Sequence, residues 1–315
     1  VYQKTSELWD LFRGKLFILL SYVFRILPIQ SNKIIASNFI GKGYGDNPKY
    51  ICQELMEKYT YFDIVWILAN MEDEMPKGIR KVKINSLKAL YELCTAKVWI
   101  DNCRKELWTR KRKGQFYIQT WHGDIAIKKV EMDVAEKLPL IYIKKAKNDS
   151  SMADVFISGS SWASQLYRSS FWYSGAIAEY GLPRTDILYK HNESYKLAIK
   201  RSLKINDNEK IILYAPTFRS AVNDEDISVY ALDWPSILKA FNQRFGGVWH
   251  GMVRLHPNVA RFAEKLTLPA EILNVTDYVD MQELLFVSDC VISDYSSCIF
   301  EFAATGKLGF IFAID

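Results

Sequence analysis

The chain lacks the short motifs that usually announce a bound cofactor. Its 315 residues contain no P-loop, no GxGxxG fingerprint, no HExxH and no cysteine or histidine cluster at metal-ligand spacing. Those absences argue against an ATPase, a dinucleotide oxidoreductase and a zinc enzyme, so neither metal nor cofactor is expected. Cysteine is sparse: Cys52, Cys94, Cys103, Cys290 and Cys298 form no CxxC pair and are odd in number. They read as reduced core residues of a cytoplasmic protein. Charge of one sign is scarce too, with 41 Lys and Arg against 36 Asp and Glu for a net +5. That excess suits phosphates or an anionic bilayer and falls short of the basic stripe of a nucleic-acid binder.

A long uncharged run is also missing. Arg13, Lys15 and Arg25 interrupt the apolar stretch from Leu8 to Pro28, which leaves only Leu16 to Phe24 uncharged. That is too short to span a bilayer. Leu8, Phe12, Leu16, Leu19, Val23 and Ile26 keep helical spacing, with Asp10, Gly14, Ser21 and Arg25 on another side. Residues 1–30 are therefore expected to form an amphipathic helix lying against an anionic membrane surface, with packing on the protein's own core as the alternative. No small-residue cleavage site follows, which disfavours a signal peptide.

What is present is a 49% hydrophobic, 14% aromatic chain, long enough for two medium domains. From Lys33 onward, β-rich runs alternate with helical stretches: KIIASNFI, a turn at GKGYGDNP, a helix through KYICQELMEKY, then FDIVWILAN. KVWIDN, QFYIQTWHG, VFISGS and AEYGLPR continue this βαβ rhythm. After a charged stretch, Tyr195 to Lys210, a second half repeats it through IILYAPTFR, VWHGMVRLHP, AEILNV and CVISDY. The expected fold is α/β, with an N-terminal Rossmann-like acceptor domain over 31–200 and a donor domain over 201–315. Ligands are expected in a cleft at the carboxyl ends of both sheets. KLGFIFAID reads as a buried strand with no closing helix, so the C-terminal end is expected to be truncated.

Of the four histidines, His122 in QTWHGD and His256 in RLHPN stand at strand ends, while His191 and His250 read as structural or surface residues. A histidine delivered to the Gly123 turn suits a general base, because imidazole takes a proton near neutral pH. Arg254 lies two residues before His256 on the same face of its strand, and together they suit a phosphate. In SDCVISDYSSCIFEFAA, a turn of Asp294, Tyr295, Ser296 and Ser297 precedes a helix whose start offers amides and hydroxyls to a diphosphate. The glycine-rich GKGYGDNP reads as a turn that touches the acceptor.

Taken in order, GKGYGDNPKYI, WIDN, QTWHGD and its following lysines, LPRTDIL, ILYAPTFR, RLHPN and TDY…LLFVSDCVISDYSSCIFEFA resemble the CDP-glycerol glycerophosphotransferase family of teichoic-acid and capsule polymerases. The resemblance implies a GT-B-type fold peripheral to the cytoplasmic face of a bacterial cell membrane. It implies transfer of glycerol phosphate from CDP-glycerol to a hydroxyl of a lipid-linked or polymeric acceptor, releasing CMP. His122 would be the base and His256 would stand with the residues that line the donor phosphates; His256 and Asp124 are also expected in the catalytic set. Arg254, Ser296, Ser297, Asp294, Thr217 and Arg219 would line the donor phosphates, and Lys42, Asp46, Asn102 and Lys128 would face the acceptor. The sequence departs from the family after WHG, where Thr-Pro is usual and Asp124, Ile125 and Ala126 stand instead. Asp124 is accordingly expected to orient or tune His122. The alternatives are a CDP-ribitol or other CDP-polyol transferase, a GT-B glycosyltransferase using a sugar nucleotide, and a non-catalytic scaffold.

Overall fold

The computed structural model describes residues 14–125, 129–217, 230–256, 259–260, 265 and 268–313. The chain divides into two units, Val1–Arg184 and Thr185–Asp315. This division falls earlier than the expected boundary at residue 200. The segment in between is tied to the second unit, where the Tyr195 hydroxyl donates to Glu283.

In the first unit, residues 14–24 form a helix, α1. Seven parallel strands follow: β1 (Gln30–Ser37), β2 (Asp63–Leu68), β3 (Arg80–Lys83), β4 (Ala96–Asp101), β5 (Phe116–Gln119), β6 (Val155–Ser158) and β7 (Ala176–Glu179). Their order is β3-β2-β1-β4-β5-β6-β7. Helices α2 (Asp46–Lys58), α3 (Leu87–Thr95), α4 (Leu140–Met152) and α5 (Ser161–Ser170) lie between them in the chain. Successive strand residues bury alternately into two cores, Ile35, Val65, Trp99 and Tyr117 in one and Ile34, Ile64, Trp66 and Ile100 in the other. Burial on both faces is why these strands read as unbroken apolar runs. The edge strand β3, RKVK, shows no such run and is invisible to that pattern; only Val82 of its four residues is buried.

The α1 helix docks by its small and polar side and not by the apolar stripe that packing on the protein's own core would use. Gly14 and Ser21 are buried, whereas Leu16, Leu19, Val23 and Ile26 are exposed, Ile26 by 84%. The cause is close approach: a Cβ on Gly14 would stand 3.0 Å from Trp108 Cε3. The Cys94 thiol also reaches the Ser21 carbonyl at 3.7 Å. Arg112 clamps the far end by donating to the carbonyls of Arg25 and Leu27.

The second unit holds β8 (Lys210–Tyr214), β9 (Trp249–Val253), β10 (Ile272–Asn274), β11 (Cys290–Ser293) and β12 (Leu308–Ile311), parallel in the order β10-β9-β8-β11-β12. It also carries helices α6 (Asp186–Tyr189), α7 (Glu193–Ser202), α8 (Trp234–Phe245), α9 (Met281–Val287) and α10 (Cys298–Ala303). Gly251 of β9 is where Trp234 lies against the strand, since a Cβ there would meet Trp234 Cζ3 at 2.8 Å and Ile272 Cδ1 at 2.4 Å. The expectation of a buried final strand is corrected: β12 pairs only with β11 among the described strands, and all four of its residues are exposed.

Candidate active site

Each sheet has one point where the strand order reverses, between β1 and β4 in the first unit and between β8 and β11 in the second. Loops leaving the carboxyl ends diverge there, which opens room for a ligand. Of the described residues singled out in the sequence, Lys42, Asp46, Asn102, Thr217, Asp294, Ser296 and Ser297 follow the strands at these reversals, and His122, Asp124, Arg254 and His256 follow the neighbouring β5 and β9.

In the first unit, the loops after β1 and β4 are joined by amides. Asn102 Nδ2 donates to Asn38 Oδ1 at 2.9 Å, and its Oδ1 accepts from the Phe39 N–H at 2.8 Å. The Asn102 carbonyl lies 2.7 Å from His122 Nδ1. A carbonyl only accepts, so Nδ1 carries the hydrogen and Nε2 keeps its lone pair. Burial pushes the His122 pKa below the usual histidine range, and the bond to Asn102 opposes part of that shift. The half-buried imidazole is therefore a neutral base at pH 7.

His122 stands on a braced platform. Its ring stacks on Trp121 at 4.3 Å, and Trp121 has a left-handed backbone at φ 51°. A bulky residue there is strained and must be held. Its N–H donates to Gln119 Oε1 at 2.9 Å and its carbonyl accepts from Asn47 Nδ2 at 3.1 Å. Arg104 lies 5.1 Å from the Trp121 ring and is anchored by Glu131 at 3.0 Å and Ser150 at 2.8 Å. Such a guanidinium–indole contact fixes the plane on which the base rests.

The GDNP turn meets the LPR segment beneath the same loop. Asp46 pairs with Arg184 at 2.6 Å, and Arg184 donates to the His122 carbonyl at 2.9 Å. The Asp46 carboxylate is thus committed to bracing, and Lys42 is exposed. Asp124 does not make the expected bond to the His122 ring. Its Oδ1 accepts from the Gly159 N–H at 3.0 Å, and a Cβ on Gly159 would stand 2.3 Å from its Oδ2. The carboxylate therefore pins the histidine loop to the end of β6, and burial raises its pKa.

In the second unit the join is a carboxylate. Asp294, after β11, accepts from the Thr217 N–H at 2.8 Å, the Thr217 hydroxyl at 2.9 Å and the Tyr295 N–H at 2.7 Å. Arg254 is half-buried and His256 exposed at the end of β9. Between them Leu255 is buried, and its N–H donates to Thr276 Oγ1 at 3.1 Å. Arg254 and His256 accordingly project to the same side. Ser296 Oγ accepts weakly from the Cys298 N–H at 3.4 Å, and Ser297 makes no capping bond. Arginine, imidazole and hydroxyl donors at one sheet edge suit phosphate oxygens. Asp294 has no hydrogen to offer a phosphate, so its place is as the clasp that shapes the site.

The family model described as CDP-Glycerol:Poly(glycerophosphate) glycerophosphotransferase matches residues 19–315. The chain belongs to this family. Among similar glycerophosphotransferase-family members, the teichoic acid poly(glycerol phosphate) polymerase of Bacillus spizizenii is 32% identical over 95% of this chain and 78% of that relative. The polymerase of the same description from Staphylococcus epidermidis is 30% identical over 91% of this chain, which spans only 41% of that relative's length. A solved wall teichoic acid polymerase TagF, a histidine-to-asparagine variant soaked with CDPG, superposes with a TM-score of 0.80 at 28% identity, covering 96% of this chain and 75% of that one. The fold of this glycerophosphotransferase-family chain is thus the GT-B type.

Two expected site residues, Lys128 and Arg219, lie outside the described residues. Asn102 takes part through its carbonyl and side chain, as a support of His122. Sequence reasoning missed Asn47, Arg104, Trp121 and Arg184 as individual site residues. Asn47, Trp121 and Arg184 lie within motifs that were singled out, GDNP, QTWHGD and LPRTDIL, and that placement was the available signal. Among the described residues, no group of three or more His, Cys, Asp or Glu is placed to hold a metal.

Proposed function

We propose that this chain transfers glycerol phosphate from CDP-glycerol to a hydroxyl of a lipid-linked or polymeric acceptor and releases CMP. The observation that carries the reading is His122, neutral, with Nδ1 held by a carbonyl and Nε2 left as a base. The acceptor oxygen attacks the phosphorus that bears glycerol and gives its proton to Nε2. The bond from that phosphorus to the CMP phosphate breaks, and CMP leaves with the electron pair. Such transfer depends on positioning and charge stabilisation more than on covalent catalysis. Arg254, His256, Ser296 and Ser297 offer donors to the phosphate oxygens as charge develops. Family membership and the CDPG soak of TagF support the donor class.

The same reading places the protein against an anionic membrane. The outward face of α1 is apolar, and the basic run Arg110, Lys111, Arg112 and Lys113 lies beside it, with Arg25 donating to the Arg110 carbonyl. Apolar area flanked by cations suits a headgroup region. Among the described residues no helix is long and apolar enough to cross a membrane.

The test is CMP release from CDP-glycerol, and separately from CDP-ribitol, with a membrane-lipid acceptor extract. Release from CDP-glycerol that disappears in His122→Ala supports the reaction and the base together. Release undiminished in His122→Ala removes the base, and release from CDP-ribitol alone changes the donor.

A further inference from the structure

The turn after β1 puts bulky residues where glycine belongs. Asn38, Phe39, Ile40 and Gly41 form a tight turn, closed by the Gly41 N–H on the Asn38 carbonyl at 2.8 Å. Its two central residues, Phe39 and Ile40, have φ of 40° and 60°. A turn with both central φ positive is the place of Asn, Asp and Gly, and a bulky or β-branched residue there is strained. Among the described residues, no other two consecutive non-glycine residues share a positive φ. Core burial does not offset the strain, since Phe39 is 36% and Ile40 47% exposed. Strain of this kind persists where the surroundings over-determine the backbone, and it gathers at functional sites.

Hydrogen bonds hold the turn from several sides. The Asn38 carbonyl also accepts from the Lys42 N–H at 2.8 Å, Asn38 Nδ2 donates to the Lys42 carbonyl at 2.9 Å, and the Gly41 carbonyl accepts from the Ala69 N–H at 2.8 Å. Asn and Gly at the two central positions would leave every one of these bonds in place. What Phe39 adds is its ring, whose centroid lies 5.2 Å from that of His122 at a tilt of 55°. Asn102 sets that distance, because its side-chain oxygen accepts from the Phe39 N–H while its carbonyl accepts from His122 Nδ1. The imidazole thus has a second aromatic neighbour besides the stacked Trp121. Each ring reduces the room in which it can turn away from the Asn102 carbonyl.

We propose that Phe39 is a positioning residue for the transfer: the strained turn holds its ring against His122, so that the imidazole keeps Nδ1 on the Asn102 carbonyl and Nε2 aimed at the reacting hydroxyl. This deepens the transferase reading and rests on it for the role of His122. Loss of that orientation costs rate, because proton transfer needs the base in one place at the moment of attack.

The experiment compares the full chain with Phe39→Ala, Phe39→Gly and Phe39→Tyr. In the kinetic arm, CMP release from CDP-glycerol with the membrane-lipid acceptor extract falls about 10- to 100-fold in kcat for Phe39→Ala and Phe39→Gly. The KM for CDP-glycerol stays within about twofold, and Phe39→Tyr restores kcat to within about twofold. Thermal unfolding separates this from a merely structural role. Glycine takes a positive φ without strain, so Phe39→Gly unfolds at a higher temperature than Phe39→Ala, yet its kcat is no higher. In the NMR arm, the His122 Nδ1–H proton, assigned by its loss in His122→Ala, persists in the wild type and in Phe39→Tyr. In Phe39→Ala and Phe39→Gly it is lost to exchange with water, as the ring turns from the Asn102 carbonyl. An Nδ1–H signal unchanged in Phe39→Ala, or already lost in the wild type, overturns the proposal. So does a kcat that is unchanged or that follows the unfolding temperature, and so does a donor KM that rises in step with the loss of kcat. If the wild type releases no CMP, the transferase reading fails, while the NMR arm still decides whether Phe39 orders His122.

Discussion

In the first unit the loops at the strand reversal are joined by two neutral amides, Asn38 and Asn102, whereas in the second they are joined by a carboxylate, Asp294, on Thr217 and Tyr295. The difference follows from what each place holds. Beside His122 a net charge would move the imidazole's proton affinity, so an uncharged join fixes the loop without disturbing the base. At the second reversal no titrating base has to be kept neutral, and a carboxylate ties three donors at once. Charge near His122 is instead held in ion pairs and bridges, Asp46 with Arg184 and Arg104 with both Glu131 and Asp149.

The most severe challenge to this division of labour is His122→Ala. CMP release should fall by about 10²- to 10⁴-fold, the range for a lost general base, with the KM for CDP-glycerol little changed. A donor KM that rose as steeply would mean that the two places do not separate base from phosphate handling. Arg184→Ala comes next. It strands the buried Asp46 carboxylate without its guanidinium and should cost about 3–5 kcal/mol in the unfolding of the first unit. Denaturant unfolding followed by hydrogen exchange should show the β8–β12 amides unaffected.

Exchanging the two kinds of join gives smaller effects. Asp294→Asn places an amide against the Thr217 N–H or hydroxyl, loses a charge-assisted bond of roughly 1.5–3 kcal/mol, and should raise the CDP-glycerol KM with the pH profile in place. Asn102→Asp should raise the His122 pKa by setting a negative charge beside it, which moves the acid limb of kcat/KM to higher pH.

The smallest effect is read in the wild type. Burial lowers the His122 pKa from 6.5, so kcat/KM should hold down to a pH below that value and then fall as the base is protonated. Linkage has the same sign. The unfolded chain protonates this histidine first as pH drops, so its share of stability is present above 6.5 and is lost as pH falls toward the folded value. An acid limb centred above 6.5 in the free enzyme would contradict burial as the dominant influence on the imidazole's proton affinity.

Much of the fold was legible because both sheets are parallel and their central strands are covered on both faces. DIVWIL and CVIS are buried at nearly every position, and each stood out as an apolar run. β3 escaped because an edge strand with one buried residue leaves no such mark. His122, Arg254 and the serine pair were legible as polar residues at the ends of apolar strands. The role of Asp124 was not, since proximity in sequence suggested His122 and the fold gave it Gly159.

The order of apolar runs, the strand-end motifs and the helical spacing of residues 14–24 were determined by the sequence, because each is a local pattern of side-chain chemistry. The tertiary structure decided the partners. Asp46 and Arg184 are 138 positions apart and meet only after the sheet is complete. The group that fixes the His122 tautomer is a backbone carbonyl, which every residue possesses and no motif can mark. Which side of α1 turns inward was set by the space a missing Cβ leaves for Trp108, a contact that helical periodicity does not show.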